Sequence, residues 1–522
     1  MSTETEATSP PEAGTAASGT RRAAAFLAAA AIVVFAIQLF SDNKADVDLW
    51  GNVGFVRALP WQDGFQRVNT YSFTEPDRPW VNHEWLGEYV MNRAWQWFGS
   101  PGLLALKIAL GLCVLGLINS SMRTDGVTGG VRFLCFLPII STMGYGFSTR
   151  PHHFTYLLTA LFLWLLKRSR SHDARWLLLL PPLSLLWANL HGAFFIGIVL
   201  LGVYAVFDPW SREPRPIGPP VSLLPIALLS AAATFVTPYG YRLWEFIVYS
   251  ARIPRPYLSE WAPFSPVRDF TSHVDFIALA ALAALALWQT RRPRRWAWTA
   301  ILALAFASAL VLRRNIPLFA IAAGFIAAPH VESAFGDDIR GVMRRLSSSR
   351  LVSLLLVAFI ALSAFYAFRY RKADPFQIEL RPREFPVAAV QFLKAHQVRG
   401  NAILFFDWAE YGIWHLYPDV RVFIDGRFCS CYGPTVMADY LAFIYRGKEW
   451  SRAIDAYPTD IVLVHVGNPV APDMAKRADW ALVYADDACA LFLKRGVHDR
   501  VIAEARPGPY SYLAVPAHPV FP

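Results

Sequence analysis

The stretch Ala23–Phe40, with the sequence AAAFLAAAAIVVFAIQLF, is followed a few residues later by Asp46-Val-Asp-Leu-Trp50. An apolar run of this length forms a helix about as long as the hydrocarbon core of a bilayer is thick. No small-residue cleavage site follows the run, so we predict an uncleaved transmembrane helix rather than a signal peptide. The two aspartates then lie at the membrane surface, where an unpaired polar group is costly, and they need a partner or a function.

Apolar runs recur along the 522 residues, of which 55% are hydrophobic and only 17% charged, with a mean hydropathy of +0.32. Soluble proteins of this size rarely contain so many such runs. We therefore predict a polytopic α-helical membrane protein with about eleven transmembrane helices. The predicted helices are Ala23–Phe40, Gly102–Asn119, Val131–Phe147, Phe154–Leu166, Trp176–Leu190, Ala193–Phe207, Val221–Val236, Phe276–Trp288, Ala297–Leu312, Ile316–Ala328 and Leu351–Phe368.

The net charge of +10 arises from basic residues that cluster in alternate short loops between these runs. This pattern is typical of the positive-inside rule rather than of a nucleic-acid-binding surface, so no nucleic-acid partner is expected. It places the N-terminus in the cytoplasm, where residues 1–22 are predicted to form a disordered tail. The clusters are Arg21 and Arg22; Arg123 and Arg132; Lys167, Arg168, Arg170 and Arg175; Arg212 and Arg215; Arg291, Arg292, Arg294 and Arg295; and Arg340, Arg344, Arg345 and Arg350.

Residues 23–368 form the predicted membrane domain, with a large outer loop at residues 41–101. After Arg369 short β-type runs alternate with helical ones, which predicts a small, partly parallel α/β domain over residues 369–522 on the extracytoplasmic side. The predicted elements are a helix at Phe385–His396 and strands at Ala402–Phe406, Arg421–Ile424, Ile461–His465 and Ala481–Tyr484.

Two motifs of the C-terminal domain carry acidic residues, Phe406-Asp-Trp-Ala-Glu410 and Ile424-Asp-Gly-Arg427. Asp-Gly after a short strand is typical of a tight turn, so the structural interpretation is favoured and nothing in this domain specifies chemistry. A disulfide among Cys429, Cys431 and Cys489 stays open, because three cysteines leave one over.

Several ionisable residues are predicted to lie on the outer side, at helix ends that are far apart in the sequence. Arg313 and Arg314 stand in a short outer loop, where the charge rule predicts few basic residues. The guanidinium fork of arginine can hold a phosphate with two hydrogen bonds. The candidate site residues are Asp46, Asp48, His83, Glu84, Arg150, His152, His191, Glu260, Arg313 and Arg314.

Sugar transfer from a lipid phosphate needs this combination of groups. Cations must hold the phosphate, a carboxylate must deprotonate the acceptor hydroxyl, and hydrogen-bonding groups must orient the sugar. We therefore interpret the outer face as an active site.

The aspartate pair just beyond the first predicted helix resembles the signature of the GT-C glycosyltransferase superfamily. A bacterial branch of uncharacterised membrane proteins commonly assigned there is similar to this chain in the motifs Asp46-Val-Asp-Leu-Trp50, Tyr71-Ser-Phe-Thr74, Trp80-Val-Asn-His-Glu-Trp-Leu86, Leu186-Trp-Ala-Asn-Leu-His-Gly192, Glu260-Trp261 and Val422-Phe-Ile-Asp-Gly-Arg427. The resemblance implies a GT-C-like bundle in a bacterial plasma membrane and a polyprenyl-phosphate or polyprenyl-pyrophosphate sugar donor. The acceptor, a glycan, lipid or protein, stays unidentified.

The resemblance also implies roles for particular residues. Asp46 or Asp48 would be the catalytic base or a metal ligand, with Mg²⁺ or Mn²⁺ as the candidate cation. Arg313 or Arg314 would contact the donor phosphate.

Each assignment has a structural alternative. The alternatives are a helix cap for Asp46 and Asp48, an exposed loop pair for His83 and Glu84, a helix-end hydrogen bond for His191, and interfacial, snorkelling positions for Arg150, His152, Arg313 and Arg314.

Two other functions compete with an enzyme. A transporter or lipid flippase would place ionisable residues in mid-helix and show two matching halves. The charges here lie at helix ends and the sequence has no internal repeat, which favours the enzyme. A non-catalytic membrane scaffold for the outer domain stays open.

Overall fold

The computed structural model describes residues 13–56, 65, 67–207, 223–255, 258–347, 350–369, 374–381, 383–505, 516 and 518–522. The α-helices are α1 Ala13–Phe40, α2 Leu49–Gly54, α3 Trp85–Thr124, α4 Gly129–Gly144, α5 His152–Ser171, α6 Leu180–Leu190, α7 Phe195–Phe207, α8 Leu223–Ala233, α9 Tyr241–Arg252, α10 Val274–Gln289, α11 Trp296–Val311, α12 Ile316–Ile326, α13 Ala328–Ser347, α14 Arg350–Arg369, α15 Val387–Ala395, α16 Ala409–Leu416, α17 Pro434–Ile444, α18 Arg452–Asp455, α19 Ala471–Met474 and α20 Asp499–Glu504. Short 3₁₀ turns lie at Ala174–Leu179, Gly192–Phe194, Ser259–Trp261, Arg313–Asn315, Phe406–Trp408 and Phe428–Ser430.

Every predicted apolar run overlaps a helix, and the bounds differ most at two of them. Helix α1 begins at Ala13, inside the segment predicted to be disordered, because this segment is rich in alanine, the best helix former. Helix α3 includes the end of the predicted loop at residues 41–101 and bends at Gly99, whose φ of 62° favours glycine. Residues 1–12, with Arg212 and Arg215, lie outside the described part of the chain.

Among the described residues, three helical segments are long and apolar enough to cross a membrane: Arg22–Phe40, Trp85–Thr124 and Arg350–Arg369. The pair Arg313–Ile326 and Ala328–Met343, bent by 57°, makes a fourth if it is one span. Among the described residues, a set of shorter apolar helices has 10–17 residues, fewer than the roughly 20 that a straight span requires, and α5 has 20 residues but does not meet the same test. The predicted count of about eleven spans is therefore not confirmed, although the helical character of the runs is.

Helix α12 forms the centre of the bundle, since all of its residues are buried. It packs against α4, α5 and α11. At one end of the bundle Lys167 and Arg292 both contact Asp125, and Arg132 donates to Asn119. Several predicted basic clusters therefore meet at one end, and the helices α3 and α5 run from there to the end that carries the candidate site.

A five-stranded sheet follows the bundle, with strands β1 Gly400–Leu404, β2 Val420–Val422, β3 Ile461–His465, β4 Trp480–Ala485 and β5 Cys489–Lys494 in the order β2-β1-β3-β5-β4. β2, β1 and β3 are parallel, whereas β5 is antiparallel to both of its neighbours. The partly parallel α/β prediction is confirmed. Sequence reasoning missed β5, and all five cysteines are free thiols.

The loop after α1 packs into the core of the C-terminal domain. Trp50 is 1% exposed, and its ring lies 4.9 Å from that of Tyr411 and 4.6 Å from that of Phe521. Ser72 forms a parallel bridge with Val422 and so continues the sheet beyond β2. The outer loop and the start of α3 thus share a hydrophobic core with the C-terminal domain, whereas the bundle has a core of its own, and the aspartates lie at the junction.

Candidate active site

Asp46 and Asp48 lie on the turn that leads into α2. Asp48 occupies the N-cap position of this helix, but its side chain makes no capping hydrogen bond. Instead, the Asp48 N–H donates to Asp46 Oδ1 over 3.0 Å. The helix-cap alternative therefore does not account for the Asp48 carboxylate, which is left for other partners.

Arg150 brings three carboxylates together. It precedes α5, and its Nε lies 2.7 Å from Asp46 Oδ1. Its Nη1 lies 2.9 Å from Asp48 Oδ2 and 3.5 Å from Glu260 Oε1. Burial alone would lower the pKa of Arg150, but Asp46 and Asp48 outweigh burial and hold that pKa well above its usual range. Arg150 is thus an ion-pair centre and not a snorkelling side chain.

The same environment changes the acidity of Asp48. Burial raises the pKa of its carboxyl to about 7, and the negative charges of Asp46, Glu260 and Glu84 act in the same direction, while Arg150 opposes them. A carboxyl with this pKa can accept and return a proton near neutral pH.

Glu260 connects this group to Arg314, whose Nη1 lies 3.8 Å from Glu260 Oε1. The Arg314 guanidinium lies 4.4 Å from the centre of the Trp261 ring. Arg255, which sequence reasoning missed, lies 3.9 Å from the same ring. We call Asp46, Asp48, Arg150, Glu260 and Arg314 the carboxylate–arginine cluster.

Arg313 does not join this cluster. Its Nη1 lies 3.0 Å from Asp269 Oδ1, and its Nη2 donates to the Ser259 carbonyl. Asp269 also pairs with Arg268 at 3.2 Å. The sequence analysis predicted the same role, contact with the donor phosphate, for either of the two neighbouring arginines. In the structure the 3₁₀ turn at Arg313–Asn315 directs their side chains to different partners.

Glu84 lies between two histidines. Its Oε1 is 3.8 Å from His83 Nε2, and its Oε2 is 3.7 Å from His191 Nε2. His191 Nδ1 accepts from the Ala193 N–H at 3.2 Å and lies 2.9 Å from Thr155 Oγ1. The proton of neutral His191 is therefore on Nε2, directed toward Glu84.

His83 and His152 differ in how their ring nitrogens are satisfied. His83 Nδ1 is buried and has no hydrogen-bond partner among the described residues. His152 Nε2 lies 2.6 Å from the Gly146 carbonyl, and its ring packs against Tyr156 at 5.2 Å. His152 thus holds the turn before α5, whereas no described residue fixes His83 through its Nδ1.

The C-terminal domain contributes Glu410, which sequence reasoning did not assign to the site. Its Oε2 accepts from the Gly51 N–H at 2.9 Å. A Cβ on Gly426 would lie 2.4 Å from Glu410 Oε1 and 3.1 Å from Asp48 Oδ1, so both carboxylates border this glycine. Burial raises the pKa of Glu410 well above its usual range, and the charges of Asp48 and Asp425 raise it further.

Asp425 itself has the structural role that the sequence favoured. It is fully buried and pairs with Arg427, with Nη2 to Oδ2 at 2.7 Å. The Arg427 guanidinium lies 4.8 to 5.1 Å from the rings of Phe55, Tyr71 and Trp80. This pair fastens the first loop to the C-terminal domain.

A metal site is a separate question. No group of three or more His, Cys, Asp or Glu side chains suited to a metal ion occurs in the described part of the chain. The carboxylates Asp46, Asp48 and Glu260 meet around Arg150 instead. The Mg²⁺ or Mn²⁺ cofactor stays a prediction.

No protein-family model matches the chain, and no curated protein matches it. Solved structures do. The oligosaccharyltransferase of Archaeoglobus fulgidus aligns with a TM-score of 0.54 and 12% identity over 87% of this chain and 70% of its own. ArnT from Cupriavidus metallidurans aligns with a TM-score of 0.51 and 12% identity over 90% of this chain and 97% of its own. The likeness is one of fold: the chain shares the fold of these two proteins, a GT-C-like fold.

Proposed function

We propose that the protein is a membrane glycosyltransferase. It moves a sugar from a polyprenyl-phosphate or polyprenyl-pyrophosphate donor to a hydroxyl of a glycan, lipid or protein acceptor. The observation that carries the proposal is the carboxylate–arginine cluster, which follows the first apolar helix of a chain with a GT-C-like fold. Because basic clusters mark the cytoplasmic side, the N-terminus is cytoplasmic, and the site and the C-terminal domain are extracytoplasmic.

Asp48 acts as the general base. It removes the proton from the acceptor hydroxyl while the hydroxyl oxygen forms a bond to the anomeric carbon. The bond from that carbon to the phosphate oxygen breaks, and the lipid (pyro)phosphate leaves with the electron pair, which inverts the anomeric configuration. A pKa of about 7 suits this role, because a general base works best near the operating pH.

Arg314 and Arg255 hold the donor phosphate. They lie 4.4 and 3.9 Å from the Trp261 ring, so stacking orients both guanidinium groups. No ion pair of the described residues uses Arg255, which leaves its charge available for an anion. Two such cations stabilise the negative charge that develops on the leaving group.

His83, Glu84 and His191 orient the sugar. His83 Nδ1 is buried and has no partner among the described residues, which favours a ligand hydrogen bond, since buried polar atoms rarely remain unpaired. Glu84 lies within 3.8 Å of both histidines and can accept from a sugar hydroxyl.

Replacement of Asp48 tests the proposal. We expect Asp48→Asn to lower transfer from radiolabelled polyprenyl-phosphate sugars by about 10²–10⁴-fold, the usual contribution of a general base. Asp46→Asn should lower it less, since Asp46 orients Arg150 and the Asp48 backbone.

Asp42→Asn is the matched control, because Asp42 lies in the same loop and its half-exposed carboxylate makes one ion pair among the described residues, with Lys44 at 3.7 Å. Wild-type transfer by Asp48→Asn would remove the proposed base. A comparison of membrane glycans between a deletion strain and its parent would identify the acceptor.

A further inference from the structure

The positive charge at the centre of the three carboxylates is that of the Arg150 side chain. Arg150 Nε and Nη1 lie 2.7 and 2.9 Å from one oxygen each of Asp46 and Asp48. Glu260 Oε1 adds a third carboxylate at 3.5 Å. Three carboxylates that converge on one point repel each other strongly unless a cation lies between them.

A divalent cation would compete with Arg150 for the same oxygens. Mg²⁺ binds carboxylate oxygens at about 2.0–2.1 Å, so an ion on Asp46 Oδ1 and Asp48 Oδ2 would be in close contact with the guanidinium. The two cations would repel each other in a partly buried site. A metal could therefore bind these aspartates only if Arg150 moved away.

The backbone holds Arg150 in place. Its carbonyl accepts from His153 Nδ1, 2.9 Å away, and its N–H donates to the Ser148 carbonyl at 3.0 Å. Pro151 follows and begins the turn into α5. Pro151 also packs against α3, where a Cβ on Gly87 would lie 3.1 Å from Pro151 Cβ. With the backbone held, the guanidinium could move away only by rotation of the Arg150 side chain. That rotation would break the three ion pairs.

We propose that Arg150 is the resident cation of this site, so that Asp46, Asp48 and Glu260 do not bind a divalent metal in the native protein. This differs from the metal cofactor that the sequence suggested. It stands apart from the proposed function, because metal binding can be measured without a sugar substrate.

The test measures Mn²⁺ binding to the purified full-length protein by electron paramagnetic resonance. We expect no Mn²⁺ site in the wild type that depends on Asp46 or Asp48. Arg150→Met removes the charge and keeps much of the side-chain volume. It should raise the Mn²⁺ affinity about tenfold or more, because a neighbouring charge changes the proton affinity of a carboxylate by a similar factor. Adding Asp48→Asn to that variant should abolish the gain.

Two further variants act as controls. Arg150→Lys keeps the positive charge and should bind Mn²⁺ as weakly as the wild type. Arg313→Met removes a guanidinium from Asp269, which keeps its contact with Arg268, and should gain no site.

Two results would overturn the proposal. One is a wild-type Mn²⁺ site that Asp46→Asn abolishes, and this measurement does not depend on whether Arg150→Met folds. The other is a folded Arg150→Met protein without increased Mn²⁺ affinity.

Discussion

Two arginine–carboxylate groups lie close together at the domain junction. They differ in the number of carboxylates per arginine and in the exposure of their side chains. Among the described residues, Arg427 forms an ion pair with one carboxylate, that of Asp425, and the two side chains are 4% and 0% exposed. Arg150 has three carboxylate partners, and the exposed fractions of Arg150, Asp48 and Glu260 are 23%, 33% and 36%. A closed, matched pair fastens two parts of a protein, whereas an accessible group with more acids than bases can exchange protons with a ligand.

The largest expected effect concerns the closed pair. Arg427→Met should lower the free energy of unfolding by about 3–5 kcal/mol, because Asp425 is then left buried without its cation. Thermal denaturation of the purified protein measures this. The double variant Asp425→Leu/Arg427→Met should recover part of the loss, since no unpaired charge remains. Equal stability of the single variant and the wild type would contradict the structural role.

The next largest effect concerns Gly426, which lies between Asp425 and Arg427 in the chain and borders the Asp48 carboxylate. Gly426→Ala should lower transfer about a hundredfold, because the new Cβ overlaps Glu410 Oε1, which must move, and lies 3.1 Å from Asp48 Oδ1, which must give by a few tenths of an ångström. Gly467→Ala is the control, since no atom lies within 4 Å of the added Cβ. Unchanged transfer in Gly426→Ala would show that the position of Glu410 does not matter for the reaction.

The smallest expected effect concerns the pH dependence of transfer, which depends on Asp48 in the carboxylate–arginine cluster. Transfer should rise with pH through a midpoint of about 7, because Asp48 must lose its proton to act as a base. Glu260 raises the pKa of Asp48, so Glu260→Gln should move this midpoint to lower pH. The pH profile of the initial rate measures both. A midpoint that is the same in the two proteins, or a rate that falls across this range, would contradict the assignment.

The apolar runs were sufficient to predict the apolar helices of the bundle, because a continuous run of this kind has few other stable arrangements, but they did not predict the amphipathic α9 and α13. They were insufficient for the number of spans, since helices of 10–17 residues leave their relation to the bilayer open. Asp46, Asp48, Arg150, Glu260 and Arg314 were all singled out from sequence, because a charge near a membrane needs a partner.

Other parts of the site depend on contacts that one sequence does not reveal. Glu410 reaches Gly51 across 359 positions of the chain. Arg255 had no motif and became evident only through its stacking on Trp261. The missed strand β5 reads as a short apolar run, which periodicity does not distinguish from a buried helix.

The shared core also affects how the chain matures during synthesis. Trp50 and Ser72 leave the ribosome early, but their partners Tyr411 and Val422 are translated several hundred residues later. Until then the Trp50 ring lacks its aromatic partners. Premature termination before the sheet would therefore leave the carboxylate–arginine cluster without Glu410 and Trp50 without its aromatic partners.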